Sequence, residues 1–412
     1  MKILVVNLGS TSLKYRLFEL GGGQGAQAET ERLLAKGGQE RVSDHGAAID
    51  ACLEALAEGG FVRGPGDLAA VAFKAVLARG VTGCVRVDER VLAAMEAYRG
   101  LAPAHNPPYV AGMRAFARRL PDTPLVALFE TAFYQWVPEA GVRYAVPDAW
   151  HDAGVRRFGF HGASHKYVAE RSAELLGRPD VAARARNLYV DGPRTPLDGP
   201  DLRVVSCHLG GSASVTGIRS GVAVGTSMGM SPQSGLPQND RVGDLDAMAV
   251  PYAMRTLGLS LDQAERALTK EGGLKALSGG KNDLRDIEEA AAQGDARARL
   301  ALEVLVRDTR RWIGAFLLEL DGLDALVFTA GIGENAPAVR AGVCAGLSRM
   351  GLSLDAERNG RALGVEAEIS ADGSPVKVLV VPTNEELVVA REARRLLALR
   401  QAQGERYAAE RS

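Results

Sequence analysis

Two stretches decide the reading of this chain: Ile3-Leu-Val-Val-Asn-Leu-Gly-Ser-Thr-Ser12 near its start and Val204-Val-Ser-Cys-His-Leu-Gly-Gly-Ser-Ala213 beyond its middle. Each is a short apolar run, a polar residue (Asn7, His208), then Leu-Gly and small hydroxyl residues. The run suits a buried strand. The glycine permits a tight turn with φ > 0, whose successive backbone N–H groups cradle an anion. Two such cradles predict a duplicated domain gripping one polyphosphate between its halves.

The 412 residues exceed one comfortable core, so two domains are expected. With 49 basic and 50 acidic side chains the formal charge is -1, and the bulk charge argues for neither a nucleic-acid nor a membrane partner. Cys52, Cys84, Cys207 and Cys344 lie far apart without a CxxC pair, indicating reduced packing residues rather than a zinc site or disulfide framework. The four apolar residues before Asn7 are too few for a signal-peptide core, and no stretch has the apolar length of a membrane span. A cytoplasmic protein is expected.

Leu13 to Leu20 alternates well enough to make Lys2 to Leu20 a hairpin turning at Gly9 to Ser12. Strand-like runs recur at Pro124–Phe129, Leu202–Cys207, Ala325–Ala330 and Val376–Val381 with helical stretches between them, an α/β pattern with mixed sheets. Ser260 with Gln263 reads as a capping box. Leu302, Leu305, Thr309, Ile313, Phe316, Leu317 and Leu320 keep helical spacing on one face of a long core helix. Asn187 to Pro200 reads as an exposed loop, and the domain boundary is expected near Trp150. A third glycine turn, Ala330-Gly-Ile-Gly-Glu-Asn335, follows a strand and precedes a helix over Ala336 to Leu347, where the helix start favours an anion.

Further stretches join these: Leu101-Ala-Pro-Ala-His-Asn-Pro107, Phe129-Glu-Thr-Ala-Phe133, Phe158-Gly-Phe-His-Gly-Ala-Ser-His165, Thr226-Ser-Met-Gly229, Arg241-Val-Gly-Asp244, Asp283-Leu-Arg285 and Pro382-Thr-Asn-Glu-Glu386. In that order, nearly end to end, the chain resembles the acetate kinase family of the actin-like ATPase superfamily. The resemblance implies two duplicated actin-like (RNase H-like) α/β domains with mixed sheets and a nucleotide cleft between them. They would be 1–150, completed by a C-terminal helix 386–412, and 151–385. It also implies a homodimer and reversible, magnesium-dependent phosphoryl transfer from ATP to a short carboxylate. Such a transfer needs in-line positioning and cations where charge develops rather than covalent help.

On this resemblance Arg241 and His161 match transition-state stabilisers, and Glu130 matches the catalytic carboxylate. Read from the sequence alone, Arg241 would form a surface salt bridge with Asp240 or Asp244, and His161 or His165 would be a satisfied core histidine or part of a helix-start network. Glu385 matches a magnesium ligand and Asn7 a ligand by way of water, in keeping with hard oxygen chemistry. Thr383 with Glu386 would form a capping box and leave Glu385 unengaged. ATP would contact Lys14, otherwise an exposed solubilising lysine. It would also contact His208, Leu209, Gly210, Gly211 and Ser212, then Asp283, Leu284 and Arg285, then Gly331, Ile332, Gly333, Glu334 and Asn335.

Three departures mark the acceptor side. Glu130 stands for the family's aspartate and reaches about 1.5 Å further. Where the family has His-Arg-Val-Val-His-Gly-Gly, an ungapped count puts Phe73 at the substrate arginine, with Lys74 next, and a lysine is a point charge rather than a bidentate fork. The second cradle reads His-Leu-Gly-Gly-Ser where the family has His-Leu-Gly-Asn-Gly. Ala75 and Ala104 replace a valine and a leucine against the substrate methyl, while Phe160 and Pro232 keep the family types. Each lost methylene is worth about 0.8 kcal/mol to a ligand that fills the space, so a preference for three- or four-carbon acids is expected. The alternatives are local repacking of this region, or a nucleotide-binding homologue that has lost efficient transfer.

Overall fold

The computed structural model describes residues 1–9, 11–21, 30–42, 44–103 and 105–409. The chain forms two compact units, one of Met1–Gln135 with the C-terminal segment from Asn384, the other of Trp136–Thr383. The division at Gln135 replaces the boundary expected near Trp150. The short helix Glu139–Val142 packs on a strand of the second unit, so the segment between the two positions belongs there.

The first unit is built on β1 (Lys2–Leu8), β2 (Ser12–Leu20), β3 (Glu31–Glu40), β4 (Leu68–Ala75), β5 (Cys84–Arg86) and β6 (Leu125–Phe129), in the order β3-β2-β1-β4-β6-β5. The second is built on β7 (Arg203–Leu209), β8 (Ala213–Arg219), β9 (Val222–Thr226), β10 (Ala325–Thr329), β11 (Ala367–Glu368) and β12 (Lys377–Val380), in the order β11-β12-β10-β7-β8-β9. Read from its other edge, the second order is the first with every strand number raised by six. In both sheets a three-strand antiparallel meander leads into two parallel pairings and ends on an antiparallel edge strand. The duplication read from two short motifs therefore extends through the whole topology.

The interior strands β6 (LVALF) and β10 (ALVFT), each with a parallel neighbour, are buried at every position, as strands covered on both faces require. On β4, alternation sends Phe73 and Ala75 into the core, where the Phe73 ring meets Phe116 edge-on with centroids 5.5 Å apart. Lys74 points to the opposite face, on which the C-terminal helix Glu385–Ala409 packs across β1, β4 and β6. The strands not foreseen include β3, whose sequence ERLLAKGGQE is largely exposed and lacks alternation; pairing with β2 makes it a strand.

The long core helix is Ala296–Glu319, capped by the Asp295 carboxylate, which accepts from the N–H groups of Arg297 and Ala298. Its buried line runs through Leu305, Thr309, Ile313 and Phe316. Gly217 and Gly225, paired across β8 and β9, form the notch for Phe316: a Cβ on Gly217 would stand 2.5 Å from its ring. The capping box at Ser260 and Gln263 is formed. The loop expected from Asn187 starts later, since the helix Pro179–Asp191 runs to Gly192, and the helix expected over Ala336 to Leu347 is shorter, Pro337–Cys344.

The cradle glycines differ from expectation. Among the described residues neither Gly9 nor Gly210 has positive φ; a Cβ would approach the Ser12 Oγ to 2.6 Å at the first and the Ser212 carbonyl oxygen to 3.2 Å at the second. Space rather than handedness calls for glycine at both. At the third turn the left-handed residue is Ala330 (φ 65°), and Ala330–Asn335 is a short helix rather than a turn.

Phe73→Ala removes a ring from the middle of the first unit's core and is expected to cost about 3 to 5 kcal/mol. Urea unfolding followed by tryptophan-independent circular dichroism measures it; an unchanged midpoint would place Phe73 outside the core.

Candidate functional site

In the first unit β4, the end of β6 and the start of the C-terminal helix bring three charged side chains together. The Lys74 ammonium donates to Glu385 Oε2 and lies 3.3 Å from Glu130 Oε1. Burial opposes the charge on Lys74, but the Glu385 and Glu130 carboxylates outweigh it and hold its pKa well above the usual lysine value. Tyr109, beside them, is pushed up to about 12, mainly by burial. Glu130 follows β6 directly, its N–H donating to the Ala75 carbonyl.

Asn7 Nδ2 donates to Glu386 Oε1 (3.0 Å), and Arg16 lies 3.4 Å from Glu386 Oε2. The expected capping box is therefore not made: Glu386 serves Asn7 and Arg16, while Thr383 Oγ1 donates to Ser164 Oγ. Glu385 is likewise engaged rather than left over. Glu130 and Glu385 converge on Lys74 while Glu386 engages Asn7 and Arg16, and among the described residues no group of three or more acidic, histidine or cysteine side chains is arranged to hold a metal ion. Lys14 is on β2, paired with Glu40 across the sheet and largely exposed. Phe73 and Ala75 are core residues, so of the three neighbouring candidates Lys74 alone faces the carboxylates. The one-residue shift follows from strand alternation, which an ungapped count ignores. Ala104 lies outside the described residues.

The second unit contains a cavity of about 530 Å³ walled by the turn after β7, the start of the helix Leu284–Ala292 and the short helix after β10. Of the residues expected at the nucleotide, Gly210, Gly211, Asp283, Leu284, Arg285, Gly331, Ile332 and Asn335 line it; His208, Leu209, Ser212, Gly333 and Glu334 do not. Leu209 is buried in the core, and Glu334 accepts from the Thr383 N–H. A Cβ on Gly331 would meet nothing within 4 Å, so the cavity reaches this backbone directly. Asn239, Glu288 and Ala336 complete the wall and were not foreseen. Glu288 could have been, since it stands one helical turn after Leu284. Asp283 caps its helix through the Arg285 N–H, and hydrogen bonds from Arg285 hold its carboxyl down at about 2.

Arg241 directs Nη1 towards Ser212 Oγ (3.2 Å), Gln238 Oε1 (3.2 Å) and the Pro232 carbonyl (3.5 Å). It makes no ion pair among the described residues, and Asp244 accepts instead from the Gly235 N–H, so the salt bridge read from sequence is absent. Burial lowers its pKa, partly countered by Asp240. Ser212 adjoins Gly211, which ties the arginine to the cavity wall. Three histidines gather on β7 and the helix Gly162–Leu175. The rings of His161 and His208 stack with centroids 4.0 Å apart, and His208 Nδ1 lies 2.8 Å from Ser164 Oγ. Phe160, just before, is buried.

A model of the Acetokinase family matches residues 2–190 and 194–391. This chain belongs to that family. It is 40% identical to an acetate kinase of Natranaerobius thermophilus over 96% of its own length and 100% of the relative's. Among solved structures, an acetate kinase of Porphyromonas gingivalis matches with TM-score 0.81 at 33% identity, covering 96% of this chain and 99% of that one. A propionate kinase of Francisella tularensis matches with TM-score 0.80 at 29% identity, covering 95% and 98%. The family match spans nearly the whole chain and includes every motif quoted from the sequence.

Proposed function

We propose that this acetokinase-family member transfers the terminal phosphoryl group of ATP to a short carboxylate, acetate or propionate, reversibly. A carboxylate oxygen forms a bond to the γ-phosphorus as the bond to the β,γ-bridging oxygen breaks, giving an acyl phosphate and ADP. The observation that carries the reading is the second unit's glycine-walled cavity, with Arg241 tied through Ser212 to its wall. On this reading the cavity takes ATP, its phosphates running along backbone N–H groups of the Gly210–Gly211 turn.

Arg241 and His161 supply donors to the phosphoryl group as its charge spreads. Lys74 meets the acceptor carboxylate as a point charge, and Glu130, ion-paired to it, orients the acceptor. Magnesium, when bound, would be held by Glu385 and, through water, Asn7; it neutralises phosphate charge. The preference for longer acids loses part of its support, since Ala75 is in the core. A non-catalytic homologue is not favoured, because the chain keeps Asn7, His161, Arg241 and Glu385 and its relatives include acetate and propionate kinases.

The same reading makes the protein a cytoplasmic homodimer. All four cysteines are free thiols, and among the described residues no helix is long and apolar enough to cross a membrane. The helix Ala249–Leu257 buries none of its residues, and Tyr252 is 65% exposed beside equally exposed Met248, an apolar pair one turn apart that a second copy would cover. Sedimentation velocity reads the stoichiometry, and a monomer at all concentrations would remove the dimer.

The kinase reading is tested by hydroxamate formation from ATP, hydroxylamine, magnesium and a panel of carboxylic acids. Acetate and propionate are expected to give the hydroxamate; no product from any acid would overturn the reading. In the same assay Arg241→Ala is expected to lower kcat by about 3 to 4 kcal/mol of transition-state stabilisation, with a much smaller change in ATP affinity. Near-wild-type turnover would confine Arg241 to a structural role.

A further inference from the structure

The histidine cluster contains a proton constraint that the reaction alone does not require. Ser214, fully buried on β8 opposite His208 of β7, presents one hydroxyl to two imidazoles. His161 Nδ1 is 2.7 Å from its Oγ and His165 Nε2 is 2.8 Å from the same atom. The other nitrogen of His165, Nδ1, lies 2.8 Å from the hydroxyl of Ser206, which shares a face of β7 with His208.

A hydroxyl has one proton to give. Its two lone pairs could accept from both rings, but among the described residues the Ser214 Oγ meets no other hydrogen-bond partner, so its proton goes to one imidazole and it accepts from the other. His165 is fully buried, and burial, then neighbouring His208, lowers its pKa well below the usual histidine value. The ring is therefore neutral and carries one N–H. The tautomers of His165 and His161 are locked to each other in opposite senses through a single oxygen.

Two arrangements satisfy the geometry, and the chemistry separates them. The His208 ring stacks on the His161 ring with centroids 4.0 Å apart and leaves Nδ1 of His161 to Ser214. A neutral imidazole can offer N–H to an anionic phosphoryl group from Nε2 only when Nδ1 is an acceptor. That requires Ser214 to donate to His161 Nδ1 and to accept from His165 Nε2–H, with Ser206 donating to His165 Nδ1. His161 is also held by its own backbone: it occupies the left-handed region (φ 59°, ψ 28°) at the start of the helix Gly162–Leu175, and its carbonyl accepts from the His165 N–H.

We propose that Ser214 is a positioning residue that, through a Ser206–His165–Ser214 chain of hydroxyls and imidazole, fixes His161 as the Nε2–H tautomer. The inference deepens the kinase reading and rests on it for the purpose of the donor, but not for the tautomer. Replacing Ser214 by alanine frees His161 to place its proton on either nitrogen. It also leaves His165 Nε2 buried without its partner.

The test is nitrogen-15 NMR of histidine-labelled full-length protein, in which protonated and unprotonated ring nitrogens resonate far apart. With six histidines, signals can be assigned by single substitution. The wild type is expected to show His161 protonated on Nε2 and His165 protonated on Nε2. Ser214→Ala should give a mixture at His161 and lower kcat by about 10- to 100-fold, with KM for ATP little changed. Ser214→Thr, which restores the hydroxyl, should restore both the spectrum and kcat. His161 protonated on Nδ1 in the wild type, or Ser214→Ala with wild-type kcat, would overturn the proposal. Should Ser214→Thr fail to fold, the wild-type spectrum decides the tautomer. A protein with the expected spectrum but no acyl phosphate formation would refute the kinase reading and leave the tautomer assignment standing.

Discussion

The pairing of Lys74 with Glu130 and Glu385 is the interaction on which the first unit's site depends. A largely buried ammonium is tolerable only with its countercharges in place, and removing one partner of such a group typically costs about 3 to 5 kcal/mol. The three residues come from β4, the end of β6 and the first turn of the C-terminal helix. Their contact therefore fixes where that helix begins as it crosses β1, β4 and β6. It also fixes which face of β4 is polar. With Lys74 towards the helix, Phe73 and Ala75 must lie in the core, and no other register of that strand satisfies both demands.

The two sheets repeat one solution to a second constraint. The hairpin turn after the first strand of each unit is built from small residues, and on the proposed reading this lets phosphate reach backbone N–H groups in the second unit. In the second unit this turn and the short helix after β10 open onto one cavity, where Gly210, Gly211 and Gly331 present main chain. Gly331 has open space where a side chain would stand; Gly210 is kept small by the nearby Ser212 carbonyl. One glycine thus leaves room for a ligand and the other lets the chain turn.

Much of this was legible in the sequence because it rests on local pattern. The first hairpin, the four apolar strands, the helix Ala296–Glu319 and the capping box at Ser260 are each written in residues close together. Most of the residues at the cavity wall were legible for the same reason, lying in three short motifs. What escaped depends on partners distant in sequence. β3 is a strand because β2 pairs with it, and Glu386 is taken from its capping role by Asn7 at the other end of the chain. That Lys74 rather than Phe73 faces the carboxylates turned on strand register, which burial sets and counting does not. The network of Ser206, Ser214 and the histidines joins two strands and a helix whose residues carry no mutual signal in sequence.

The account stands on ATP occupying the cavity of the second unit, and the most direct test is calorimetric titration of magnesium-ATP into the wild-type protein and into Gly331→Phe. A Cβ at this position meets nothing within 4 Å, and the ring beyond it would occupy part of the cavity that Gly331 lines. Wild-type binding together with loss of binding in a variant whose thermal unfolding is unchanged is the predicted result; equal binding by the two proteins would contradict it.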